Sequence, residues 1–218
     1  MQRIALAVEF LLIFAALPLA YRFAPMRIPA LPLLWVVTAY AWWQLARDPH
    51  FDRGELWNIG ALRGRAPVIV AIFAVVAVVI WLGVRRFTPD LEWSFVRQNP
   101  RFWAIVMVAY PVLSVYPQGL IYRAFFFERY AEFFPSRWAM IVASAAAFAF
   151  MHIIFRNWLA VALTFAGGLL FAWRYAETGS LATSSFEHAL YGCWLFTVGL
   201  GQYFYHGTIA SVGSALRR

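Results

Sequence analysis

The chain has 218 residues, 63% of them hydrophobic, 19% aromatic and 13% charged, with a mean hydropathy of +0.67. A soluble domain runs about 45–50% apolar and about 25% charged, so there is too little polar surface here to coat a water-exposed globule, and most of the exterior must face lipid. The 18 basic residues, all Arg, outweigh 10 acidic ones, but they stand singly or in pairs at the ends of apolar runs (Arg22 and Arg27, Arg85 and Arg86, Arg217 and Arg218), where they serve as bilayer anchors and not as a nucleic-acid patch.

In chain order, the run from Ile4 to Tyr21 is long for a signal-peptide core and carries Glu9 inside it, so it reads as a retained span. Ile28 to Leu45 follows, with Trp35, Trp42 and Trp43 placed like an interfacial belt. Arg47 to Arg65 holds three acidic residues and four Arg and predicts a water-exposed loop with a short amphipathic piece. Val68 to Val84 is free of charge and is the cleanest span. Arg86 to Arg101 mixes charges, two Pro and aromatics and predicts an interfacial segment. Phe102 to Tyr116 is interrupted by Pro111 and closed by Pro117, a pattern that marks irregular functional regions in membrane helices. Gln118 to Phe134 continues with charges among aromatics. Arg137 to Phe155 contains the small residues Ala143 to Ala147; Trp158 to Trp173 contains Gly167-Gly168, which allows close helix contact. Leu181 to Tyr205 is the last span. The expectation is one all-α, polytopic integral membrane domain over residues 1–218, with about seven or eight transmembrane helices. Arg divides equally between alternate loops, nine on each side, so the positive-inside rule gives no orientation. The all-Arg basic set suggests a GC-rich genome and the cytoplasmic membrane of a bacterium.

Ionisable residues inside membrane segments are functional candidates by default, which singles out Glu9, Arg123, His152 and the adjacent pair Glu187 and His188. Each has a plain alternative: Arg123 as an interfacial side chain snorkelling to water, His152 as a core histidine satisfied by a backbone carbonyl. Two histidines and a carboxylate would suit a catalytic zinc site, but no His-Glu-x-x-His occurs, and the single Cys193 offers neither a disulfide nor a cysteine-rich metal site. No metal or other cofactor is expected. His206 ends the last span and reads as interfacial.

Together the candidates form an ordered set: Gln118-Gly119-x-x-x-Arg123, then Phe148-x-x-x-His152, then His188-x-x-x-Gly192. This set, within residues 116–205, resembles the CPBP family of intramembrane endopeptidases, also called the CAAX protease or Abi family. That family is marked by Glu-Glu-x-x-x-Arg, Phe-x-x-x-His and His-x-x-x-Asn on successive helices and is similar to the enzyme that trims prenylated CaaX proteins. The resemblance implies a CAAX-protease-like helical bundle in the lipid bilayer that hydrolyses a peptide bond in a membrane-associated peptide or protein. It also implies a glutamate-activated water, histidine and asparagine stabilising the oxyanion, Arg123 orienting the carboxylates, and His152 and His188 as the second- and third-motif histidines. A carboxylate in a low-dielectric site is a stronger base, and donors there stabilise developing charge strongly.

Two departures stand out. The paired glutamates are Gln118 and Gly119, and the third-motif Asn is Gly192. A branch of the family reads Pro-Gln-Glu and Glu-His-Ala-Leu-Tyr-Gly at these motifs, which leaves Gly119 as the anomaly. Glu128 and Glu132 lie about 15 and about 21 Å further along a helix starting at Gln118, too far to substitute. Glu187 is the nearest replacement, expected to orient or compensate a protonated histidine. Two other classes remain open: a non-catalytic scaffold or immunity protein that binds a peptide or partner helix, and a small transporter, although no inverted repeat is visible.

Overall fold

The computed structural model describes residues 2–23 and 29–204. Its eight helices are α1 (Arg3–Phe23), α2 (Ala30–Arg47), α3 (Ile59–Phe87), the short α4 (Ser94–Gln98), α5 (Pro100–Arg129), α6 (Arg137–Met151), α7 (Trp158–Thr178) and α8 (Leu181–Val198). No strand occurs among the described residues, and the protein is an all-α polytopic membrane protein. In hydrocarbon every backbone polar group must be satisfied within the chain, which leaves helices as the way for such a sequence to cross. Five helical segments are apolar and long enough to do so, those ending at Phe23, Phe87, Arg129, Phe155 and Thr178. The remaining long helices, α2 and α8, have 18 residues each. At the interfaces, side-chain caps take over from the ladder: Asn58 accepts from Ala61, Ser136 from Ala139, Asn157 from Ala160 and Ser180 from Thr183.

Three boundaries differ from the sequence expectation. The segments on either side of Pro117 are one helix, because Pro111 opens a π-turn over Pro111–Val115 and a second π-turn spans Leu120–Phe125. The wider turns absorb the ladder bonds that proline cannot make. Ser144 on α6 donates to the Tyr122 carbonyl inside the second turn, at 2.5 Å. The segment 47–65 is only partly loop, since Asn58 caps α3 well before Val68. The last helix stops at Val198, where Gly199 has φ +108° and a Cβ would run into the Leu91 carbonyl. Arg27, Tyr205, His206, Arg217 and Arg218 lie outside the described residues.

The small-residue stretches of α6 and α7 meet. A Cβ on Gly168 of α7 would sit 3.1 Å from the Ala145 Cα and 3.2 Å from the Phe148 ring of α6, whereas Gly167 faces Phe171 of its own helix. Around this contact an aromatic core gathers Phe14, Tyr122, Phe125, Phe126, Tyr130 and Phe148, while Val75, Val79 and Val108 stay outward, facing lipid. Glu9 belongs to this framework. Its carboxylate accepts from Tyr40 on α2, Arg129 on α5 and Tyr130, at 2.8 to 3.1 Å, and ties three segments together.

Glu187 also belongs to the framework, which corrects the expectation that it serves the histidines. It is fully buried and receives two hydrogen bonds from Arg174 of α7, at 2.8 and 3.2 Å. Arg174 in turn holds Glu177, which pairs with Arg65 of α3 at 2.6 Å. Neighbouring helical positions point about 100° apart, so a carboxylate turned toward α7 faces away from the ring at 188.

Two consequences are measurable by thermal unfolding in detergent. Gly168→Val forces α6 and α7 apart and is expected to cost about 1–3 kcal/mol. Glu187→Ala strands the Arg174 charge, an expected loss of about 3–5 kcal/mol, and the double change Arg174→Met with Glu187→Leu is expected to recover most of it.

Candidate active site

Arg123 lies in the π-turn of α5 and points inward, only 1% exposed. It is therefore not the snorkelling residue that its position in the sequence also allowed. Its guanidinium carbon sits 4.5 Å from the centre of the Phe148 ring and 5.6 Å from that of Phe171. None of its three nitrogens has a hydrogen-bond partner among the described residues. A buried ion costs several kcal/mol after relaxation, and cation–π contacts return about 2 kcal/mol when desolvated. The rings hold the cation in place without neutralising it.

Phe148 organises the rest. One turn along α6, the His152 Nδ1–H donates to the Phe148 carbonyl at 2.7 Å, and the ring packs edge-on to Phe148 at 4.7 Å. A carbonyl can only accept, so Nδ1 carries a proton, and in the neutral ring this leaves Nε2 as an acceptor. The bland and the functional readings of this residue are therefore compatible: one nitrogen is satisfied by the backbone, the other is left for chemistry. His188 on α8 meets Phe148 from another side at 5.5 Å and stacks on Phe171 at 4.6 Å. Arg123, His152 and His188 thus converge on one aromatic ring from α5, α6 and α8.

The other motif positions are nearby with different surroundings. Gln118 donates to Ser114 of its own helix at 2.7 Å. Gly119 is buried against α8, where a Cβ would lie 2.8 Å from Ser185 Oγ and 3.0 Å from Leu181 Cδ1. Ser185 Oγ and His188 Nδ1 are buried and unpartnered among the described residues. Glu187 is not part of the cluster. Glu132 pairs with Arg3 at 3.1 Å, away from it. Among the described residues no group of three or more His, Cys, Asp and Glu comes together to hold a metal ion.

Tyr110 is not legible in the sequence as a site residue. Its hydroxyl is 3.4 Å from His188 Nε2, and its ring and hydroxyl fill the space that a Cβ at Gly192 would need. The glycine one turn after His188 is the available signal, since it marks a close approach by something large.

Residues 100–194 match the family described as type II CAAX prenyl endopeptidase Rce1-like. That range contains Tyr110, the Gln118 to Arg123 motif, Phe148, His152, His188 and Gly192. Comparison with curated proteins and with solved structures returns no match. With three motifs in order on successive helices and the family match spanning all three, residues 100–194 are similar to the CAAX protease family of membrane endopeptidases.

Proposed function

We propose that this site receives a peptide segment of a membrane-associated substrate and that its hydrolytic step lacks one group, a carboxylate at position 119. The observation that carries this reading is the unpartnered Arg123, one helical turn from Gly119. Residues four apart share a helix face, and an acid preceding a base by four is the favourable order. A glutamate at 119 would neutralise Arg123 and stand beside Ser185 at the mouth of the histidine cluster.

Peptide hydrolysis needs a base to take a proton from water and donors for the oxyanion. His152, with its proton fixed on Nδ1, suits the first half: Nε2 can hold a water by accepting from it. Taking the proton itself would place a second positive charge beside an uncompensated guanidinium, so His152 alone is a poor base here. In this reading His188 and the Tyr110 hydroxyl, 3.4 Å apart, supply the donors to the oxyanion. Other carboxylates are committed elsewhere, Glu187 to Arg174 and Glu9 to Arg129. The setting is a lipid bilayer, and the all-Arg basic set supports the bacterial cytoplasmic membrane.

Gly119→Glu is the direct test. The atoms it meets, Ser185 Oγ and Leu181 Cδ1, are side-chain ends that can rotate away. Reconstituted in vesicles with candidate membrane peptides, the Gly119→Glu chain is expected to cleave about 10²–10⁴-fold faster than the natural one. In that background, Tyr110→Phe is expected to lower kcat about 10²-fold with little change in KM. Peptide binding by both chains with cleavage by neither would instead identify a non-catalytic scaffold.

A further inference from the structure

Among the described residues, the buried charges are compensated with one exception. Glu9 has three donors, and Arg174, Glu187, Glu177 and Arg65 form a chain of alternating sign. Arg123 has two phenylalanine faces and no acceptor. Ser185 Oγ is also buried without a partner and lies 2.8 Å from where a Cβ at Gly119, one helical turn before Arg123, would stand. His188 Nδ1 is the third orphan, and it carries the ring proton when the Tyr110 hydroxyl donates to Nε2. The orphans come from two helices, and the group they lack is an acceptor with a negative charge. A planar anion with two oxygens suits a guanidinium fork better than a spherical ion does.

We propose that Arg123, Ser185 and His188 form a binding site for a small carboxylate next to Gly119, entered when the side-chain ends of Ser185 and Leu181 rotate aside. The carboxylate comes either from a free monocarboxylate of formate or acetate size or from the terminus of a bound peptide. Binding requires no peptide hydrolysis, so it goes beyond the proposed function and is tested separately from it.

The test is thermal unfolding of the full chain in nanodiscs at fixed ionic strength, with sodium chloride replaced stepwise by sodium formate or acetate. A ligand that binds only the folded state raises Tm saturably, here by an expected rise of about 2–4 °C. Gly119→Glu supplies its own carboxylate, so its Tm is expected not to respond; Arg123→Gln is expected not to respond either. If Arg123→Gln does not fold, the comparison with Gly119→Glu decides by itself. A short peptide acid that stabilises where its amide does not assigns the peptide terminus as a source, and a response to formate or acetate without a response to the peptide acid assigns the free anion. Formate and acetate acting no differently from chloride, together with no effect of the peptide acid, overturns the proposal. So does an equal response in the natural and Gly119→Glu chains.

Discussion

One uncompensated charge governs the centre of this molecule. Arg123 is buried between Phe148 and Phe171 with no acceptor among the described residues, and the desolvation it suffers exceeds what two aromatic faces return. The other interior charges are arranged to avoid that situation. Glu9 collects Tyr40, Arg129 and Tyr130, and Glu187 is held by Arg174. A protein this careful with its other buried charges has not placed this one by neglect.

The backbone around Arg123 explains how the cation is held inward. α5 has 30 residues, about 45 Å at 1.5 Å per residue, and two π-turns lie within it, with Arg123 in the second. Wide turns loosen the ladder, and hydroxyls from neighbouring helices take up the slack, as Ser144 does for the Tyr122 carbonyl. The close contact of Gly168 with Ala145 brings α6 and α7 together, so that Phe148 and Phe171 can face the same guanidinium. The small-residue stripe and the aromatic cage are parts of one arrangement.

The sequence revealed the spans and the three motifs because both depend on local composition and spacing. Arg123, His152 and His188 were legible as scarce ionisable groups in apolar runs, and their convergence on Phe148 follows the order of the motifs. Direction around a helix axis was not legible. Glu187 stands next to His188 in the chain, yet it turns toward Arg174, which fell just past the expected end of its span. Continuity through Pro117 was hidden as well, because a proline that ends one helix and a proline absorbed by a π-turn look the same in the sequence. Tyr110 could be found only through what it touches, since nothing in its own neighbourhood distinguishes it from nine other tyrosines.

Two motif positions are glycines, and the structure treats them differently. At Gly192 the volume is filled again by Tyr110, whose hydroxyl also brings a hydrogen-bonding group to His188. Shape and polarity are both restored there, by a residue from another helix. At Gly119 the volume is partly filled by Ser185 and Leu181, but neither can carry a negative charge. Packing can be repaired by whichever atoms lie nearby, because dispersion is indifferent to chemical identity. Charge cannot be repaired that way in hydrocarbon, where each ion needs a specific counterpart. Glycine at 192 therefore leaves no sign in the interior, while beside glycine at 119 the Arg123 cation has no acceptor among the described residues.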